Sequence, residues 1–128
     1  MILLIDTSTS VCKTVWVTDE SHDTQVWDAG RTLADSLLSY LRNQLDSRGL
    51  TWRDIQGIAV FQGPGSFTGL RISHTVMNTI ADTYSIPIVG VNGDGWVERA
   101  LGRLRNGEND ELILPLYGRE ANITVRRK

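Results

Sequence analysis

The order of the apolar segments along the chain constrains the fold more than any other feature. An apolar run at residues 2–5 is typical of a strand buried on both faces. Two segments rich in β-branched residues follow at 11–18 and 24–29, and further apolar runs lie at 57–61 and 86–91. Apolar residues recur at helical spacing in three stretches, 32–48, 69–83 and 96–107. This order predicts an α/β fold with a mixed five-stranded sheet and helices packed on its faces.

Length and charge narrow the classes of protein that fit the chain. With 128 residues, 41% of them hydrophobic and 22% charged, the composition is typical of one globular domain. The formal net charge is −2; acidic residues outnumber basic ones before residue 99, and the reverse holds after it. An acidic body disfavours direct nucleic-acid binding, although the basic end of the chain leaves a weaker form of it open.

The sequence lacks the usual signs of secretion, membrane insertion and metal binding. Cys12 is the single cysteine, so no intramolecular disulfide can form, and neither histidine has a metal-binding spacing. The first residues lack a basic start, and no window is long enough to span a membrane. We therefore expect a cytoplasmic protein with no metal site.

Two polar loops are candidate phosphate-binding elements. The first follows the 2–5 strand, and the second, at 63–69, has the spacing G-x-G-x-x-x-G between a predicted strand and helix. This spacing differs from the dinucleotide fingerprint and from the P-loop. The alternative is a pair of tight turns, with Ser66 or Thr68 capping the following helix. The candidate residues are Asp6, Thr7, Ser8, Gly63, Gly65 and Ser66.

The sequence gives no sign of a self-sufficient catalyst. A G-x-S-x-G motif is absent, and no base lies near Cys12 in the sequence, so we predict no catalytic residue. Arg71 falls in the first turn of the predicted second long helix, where the helix dipole disfavours a cation. We therefore expect Arg71 to have an acidic partner or a bound anion.

The predicted helix at 32–48 has a wide apolar stripe. Thr32 and Asp35 resemble a helix N-cap pair, and Thr51 with Asp54 suggests a short capped turn further on. The stripe fits either a core-facing surface or a surface for a partner helix. Its main row consists of Leu33, Leu37, Leu41 and Leu45.

Three segments together resemble one protein family. They are ILLIDTSTS at 2–10, GIAVFQGPGSFTGLRI at 57–72 and IPIVGV at 86–91. Their order and spacing are similar to those of the TsaB (YeaZ) family, over roughly residues 1–105. The resemblance implies an actin-like, ribonuclease-H-type lobe.

The resemblance also implies a function. It indicates a non-catalytic scaffold in the threonylcarbamoyl modification of tRNA adenosine beside the anticodon, paired with a TsaD-like transferase subunit and joined by a TsaE-like ATPase. It implies pairing through the helices at 32–48 and 69–83, with a homodimer through the same helices left open. The candidate interface residues are then Leu33, Leu37, Leu41, Leu45, Arg71 and Val76.

The chain departs from the family pattern in two places. Leu33-Ala34 stands where family members often have His-Ser, and a second lobe is expected where this sequence has a short tail. We expect an actin-like lobe at 1–108, followed by a short strand and a basic tail at 109–128.

A single lobe would hold no cofactor tightly, with ATP and magnesium bound only in the partner complex. The basic residues Arg126, Arg127 and Lys128 could meet an acidic surface or tRNA. The alternative function is a nucleotide-binding or weakly hydrolysing enzyme of the actin-like superfamily.

Overall fold

A five-stranded mixed sheet forms the centre of the computed structural model, which describes residues 1–114. The strand order is β3-β2-β1-β4-β5, in which β1 pairs antiparallel with β2 and parallel with β4. The predicted architecture is confirmed. The strands are β1 (Ile2–Asp6), β2 (Val11–Val17), β3 (His22–Asp28), β4 (Gly57–Phe61) and β5 (Ile88–Val91).

Successive side chains of β1 and β4 alternate between the two faces of the sheet, so the core has two parts. Leu3, Ile5 and Ile58 point to one face, whereas Leu4 and Ala59 point to the other, as the two-residue period of a strand requires. The helices α1 (Leu33–Ser47) and α2 (Phe67–Tyr84) cover the first face. The helix α3 (Trp96–Arg105) covers the second. Because both faces are covered, the apolar runs at 2–5 and 57–61 are continuous.

The beginnings of the helices differ in part from prediction. Thr32 is the residue before α1, but its hydroxyl donates to the carbonyl of Ala29 at 2.6 Å and caps no helix N–H, so the Thr32–Asp35 cap is not formed. The cause is a 3-10 turn at Gly30–Thr32 that leads directly into α1. The Thr51–Asp54 capping box is formed as predicted.

Residues 109–114 lie along the outer edge of β5. The side chains of Asn109 and Asp110 accept hydrogen bonds from the backbone N–H groups of Ile88, at 3.1 Å, and Gly90, at 2.9 Å. These bonds satisfy donors that an edge strand would otherwise expose. Ile113 is buried in the core on the α2 side, where the amide of Asn78 bonds to its backbone.

Part of the predicted C-terminal strand is wrong. Residues 112–114 form no strand, because side chains of Asn78 and Gln62, and no neighbouring strand, bond to the backbone there. The remainder of the predicted 112–116 strand and the basic residues 126–128 lie outside the described residues. Within residues 1–114, no helix combines the length and hydropathy needed to cross a membrane.

Candidate functional site

The two predicted polar loops meet at the carboxyl ends of β1 and β4. One carboxylate oxygen of Asp6 accepts a hydrogen bond from the backbone N–H of Ser8 at 2.8 Å, which fixes a tight turn after β1. The carbonyl of Ser8 then accepts from the backbone N–H of Ser66 at 2.7 Å. The two loops therefore share one edge of the sheet.

Two glycines allow this close approach of the loops. A β-carbon at position 65 would lie 2.3 Å from the Ser8 β-carbon, and one at position 69 would lie 2.2 Å from the carbonyl oxygen of Thr7. Real side chains do not approach so closely, so any larger residue would push the loops apart. The glycine spacing at 63–69 therefore serves the packing of one loop against the other.

The polar groups of the loops bond to each other. The buried Thr7 hydroxyl lies 2.7 Å from the carbonyl oxygen of Gly69 and 2.8 Å from the Ser73 hydroxyl. Ser66 caps α2 by accepting from the N–H of Gly69 at 3.2 Å, which explains why this helix begins at Phe67, two residues earlier than predicted. The carbonyl of Gly63 accepts from the N–H of Gly93 at 3.2 Å. The tight-turn interpretation is confirmed, and phosphate binding at these residues stays a prediction.

Cys12 and His74 are both buried in the core. Burial, and secondarily the charge of Asp6, raises the pKa of the Cys12 thiol to about 12, so the thiol is protonated at neutral pH. Burial lowers the pKa of His74, whose Nδ1 lies 2.5 Å from the carbonyl oxygen of Leu70. Residues 1–114 contain no group of three or more His, Cys, Asp or Glu side chains that could hold a metal ion.

The structure corrects the predicted interface on α1. All four leucines of the main row are at most 6% exposed and belong to the core over β1 and β4, so none of them is available to a partner. The prediction of a partner surface is wrong for these positions, because the row faces the sheet and α2. The corrected residues are Leu33, Leu37, Leu41 and Leu45.

A different set of residues forms the outer surface of the two helices, which we call the α1–α2 face. Leu38 is 47% exposed and Phe67 is 50% exposed, although both are large apolar side chains. Sequence patterning did not identify either residue as part of an interface. Leu38 lies beside the main apolar row of α1, and the exposure of Phe67 depends on how α2 packs against the sheet. Between the helices, a groove of about 370 Å³ is lined by Ala34, Thr68, Arg71, Ile72, Thr75 and Val76.

Arg71 and Val76 do lie on this face. Val76 is half-buried in the groove wall, and Arg71 is exposed at its rim. The Arg71 guanidinium carbon lies 5.2 Å from the centroid of the Phe67 ring, which is a cation–π distance. The acidic partner expected for Arg71 is not found in the part of the chain that the structure describes; the aromatic ring takes its place.

A second groove, of about 690 Å³, lies further along the same pair of helices. It includes the ends of α1 and α2 together with the short Trp52–Asp54 turn. Tyr84 is 38% exposed at its edge, with the Arg53 guanidinium carbon 5.8 Å from the ring centroid. Sequence patterning missed this groove because its walls come from three separate segments.

Comparisons with known proteins place this chain in a family. The family model for TsaD, tRNA N6-adenosine threonylcarbamoyltransferase, matches residues 27–124. TsaB, the tRNA threonylcarbamoyladenosine biosynthesis protein of Escherichia coli, is 31% identical over 71% of this chain and 39% of its own length. The tRNA N6-adenosine threonylcarbamoyltransferase of Sulfurisphaera tokodaii is 35% identical over 77% of this chain and 29% of its own.

A solved structure shows the same fold. YeaZ from Pseudomonas aeruginosa superposes with a TM-score of 0.64 at 30% identity, covering 71% of this chain and 44% of that one. The chain thus spans less than half the length of each relative named here. The predicted actin-like lobe is confirmed. The chain belongs to the TsaD family, within which it is a TsaB (YeaZ) member.

Proposed function

We propose that the chain is a non-catalytic subunit in the threonylcarbamoyl modification of tRNA adenosine. It pairs with a TsaD-type transferase subunit through the α1–α2 face, and a TsaE-type ATPase joins the pair. The modification pathway is supported by relatives named for this biosynthesis, among them TsaB of Escherichia coli and of Haemophilus influenzae.

The observation that carries the pairing is the exposed apolar surface of the α1–α2 face. Leu38 and Phe67 each leave about half of a large apolar side chain in water. Leu38 lines the second groove, and Ile72 and Val76 line the first together with threonines and Arg71. Burying such side chains stabilises an association by about 25 cal/mol per Å² of apolar surface. Rows of residues from two packed helices also form a flat, rigid surface of the kind that a pair of partner helices can cover.

The arrangement of the polar loops supports the non-catalytic role. The side chains of Asp6, Thr7 and Ser66 each bond to a backbone group of these loops or of α2. The space beside the α-carbons of Gly65 and Gly69 is occupied by the loop after β1. These groups hold the loops together, which supports the proposal that no cofactor is tightly bound and that ATP with magnesium enters only with the partner. Contact with tRNA is then mainly the partner's.

Co-purification tests the pairing directly. The tagged full chain is expressed with the TsaD-type subunit of the same organism, and complex formation is measured at micromolar concentration. The complex, with the TsaE-type ATPase and an enzyme that makes the threonylcarbamoyl adenylate added, is then assayed for threonylcarbamoyladenosine in tRNA by mass spectrometry. We expect a stable complex and a modification that depends on the chain. Absence of a complex at micromolar concentration overturns the proposal.

Nucleotide titration separates this proposal from the alternative of a nucleotide-binding or weakly hydrolysing enzyme. Asp6→Asn keeps the oxygen that accepts from Ser8 but removes the negative charge that a magnesium-bound nucleotide would need. We expect weak binding of ATP with magnesium to the chain alone, and the same modification rate for Asp6→Asn as for the native chain. Tight binding or turnover that Asp6→Asn abolishes would establish the alternative.

A further inference from the structure

The two edges of the sheet differ in how their backbone groups are satisfied. At the β5 edge, the side chains of Asn109 and Asp110 accept hydrogen bonds from the N–H groups of Ile88 and Gly90. At the other edge, β3 has β2 as its one neighbour among the strands of residues 1–114. It is seven residues long and contains neither proline nor glycine. An uncovered edge of this length is a template for a further strand.

The hairpin between β2 and β3 fixes which residues of β3 present their backbone at this edge. The N–H of Thr18 donates to the carbonyl of Ser21 at 2.9 Å, so residues 18 and 21 bond to each other across the turn. Backbone groups along an antiparallel pair alternate in direction. The odd-numbered residues of β3 therefore bond to β2, and the even-numbered residues direct both their N–H and their C=O outward. The outward residues are His22, Thr24, Val26 and Asp28.

The outward residues are complementary to a second copy of the same strand. A two-fold axis beside Gln25 places residue 22 opposite residue 28 and residue 24 opposite residue 26, so all four outward residues form bonded pairs. At both ends of this pairing the imidazole of His22 lies opposite the carboxylate of Asp28. In the middle, Thr24 lies opposite Val26, whose side chain is 65% exposed in the single lobe. The second copy would cover part of that apolar side chain.

Other alignments of the two strands are less favourable. Outward residues stay opposite each other only when the alignment moves by an even number of residues. One such shift places Glu20 opposite Asp28, and like charges directly opposite are destabilising. The shift in the other direction places Asp28 opposite Thr24 and moves His22 beyond the end of the strand. The full overlap is thus the alignment that combines the most backbone bonds with opposite charges.

The side chains on the other face of β3 are compatible with this alignment. Asp23 would lie opposite Trp27 of the second copy, so the two acids at position 23 do not face each other. Asp23 already pairs with Arg48 of its own lobe. Trp27 stacks on Tyr40 of its own lobe, with the ring centroids 4.6 Å apart. No charge on this face would therefore be left against a like charge.

We propose that two copies of this chain pair antiparallel through β3, in the register centred on Gln25, to form one continuous sheet. The surface belongs to the edge of the sheet, since none of the residues 22–28 lines either groove of the α1–α2 face. The inference does not depend on the proposed function, and the pair of lobes leaves the helices open to another subunit. One strand pair is a small interface, so the expected dissociation constant is about 10–500 µM.

Sedimentation of the full chain between about 5 µM and about 1 mM tests the pairing. Val26→Pro removes an outward N–H and no bond to β2, which is the setting in which edge strands accept proline. Val26→Glu is a second variant that keeps the hairpin, because it places a carboxylate opposite Lys13 of β2. Asn43→Glu is the matched control, on an exposed position of α1. Unfolding midpoints verify that each variant is folded.

A charge exchange tests the register. His22→Asp places two carboxylates opposite each other at both ends of the pairing, and adding Asp28→Lys restores opposite charges. Amide exchange measured by NMR gives an independent signature. The outward amides of Thr24 and Val26 should exchange more slowly as the concentration rises, while those of Asp23 and Gln25, already bonded to β2, should change little.

We expect dimers of the native chain within this range, at least about tenfold weaker dimers for both Val26 variants, and an affinity within about twofold of native for Asn43→Glu. His22→Asp should weaken the dimer at least about threefold, and the double variant should recover to within about twofold of native. A native chain that stays monomeric at about 1 mM overturns the inference. A dimer that Leu38→Asp on α1 weakens and the Val26 variants do not also overturns it, as does a double variant no tighter than His22→Asp. None of these results decides whether the chain binds a TsaD-type subunit, so the proposed function is tested separately.

Discussion

At the scale of single residues, two glycines that both lie in helices should respond in opposite ways to substitution by alanine. Gly69 lies in the first turn of α2, where a β-carbon would meet the carbonyl of Thr7, whereas Gly102 in α3 has open space around its β-carbon position. Gly69→Ala should therefore lower the free energy of unfolding by about 2 kcal/mol or more, because backbone must move. Gly102→Ala should raise it by about 0.5–1 kcal/mol through helix propensity.

Chemical denaturation of the two alanine variants measures this difference. The substitution is the same in both helices, so helix propensity alone predicts stabilisation in both. If Gly69→Ala is as stable as the native chain, the close approach of the two loops does not limit the side chain at that position.

His74 should make the stability of the lobe depend on pH. Its side chain is buried, and burial lowers its pKa below the ordinary value of 6.5. The unfolded chain therefore binds a proton that the folded chain excludes as the pH falls below about 6.5. The contribution of neutral His74 to stability is fully present above about pH 6.5 and is progressively lost as the pH falls below it.

Urea unfolding at pH 5, 6 and 7.5 tests the role of His74. His74→Leu should flatten the dependence of stability on pH. If the stability of His74→Leu depends on pH as that of the native chain does, groups other than His74 cause the dependence.

At the scale of elements, α1 has a buried face and an exposed face, and we propose that the exposed face meets the partner. Substitutions on the two faces should therefore separate stability from binding. Leu37→Ala removes a fully buried side chain and should cost about 2–5 kcal/mol of stability. Leu38→Asp alters an exposed side chain and should cost about 1 kcal/mol or less, while weakening binding to the TsaD-type subunit at least about tenfold.

Asn43→Asp is the matched control on the same helix, since it places the same carboxylate at an exposed position outside both grooves. Thermal unfolding and a binding titration are run on all three variants. Equal affinities for Leu38→Asp and Asn43→Asp would remove Leu38 from the partner surface.

The elements show which parts of the fold could be predicted from the sequence. Local patterns were sufficient for the apolar strands, the three long helices and the Thr51–Asp54 box, because each depends on neighbours within a few residues. The orientation of the leucine row in α1 was not predictable, because a wide stripe fits either a sheet or a partner helix. The contact of Gly65 with Ser8 was also hidden, because it joins loops 57 residues apart in the chain. Phe67 was missed as a surface residue for the same kind of reason: its exposure depends on how α2 packs against the sheet.

At the scale of the whole molecule, the two layers of helices differ in what they leave exposed. The α3 layer is a single helix in which Arg99 bonds to the carbonyls of Asn92 and Asp94, and Arg103 pairs with Glu108 and Asp110. The α1–α2 layer leaves two grooves, large apolar side chains and three arginines outside any ion pair among residues 1–114. The pairing proposed above therefore uses one side of the sheet.

Hydrogen–deuterium exchange of the full chain, alone and with the TsaD-type subunit, tests pairing through the α1–α2 face most directly. The amides of α1 and α2 should exchange more slowly in the complex, with the largest change near Leu38 and Phe67, and α3 should exchange at its free rate. Slower exchange confined to α3 or to the edge of β3, with α1 and α2 unchanged, would contradict pairing through this face.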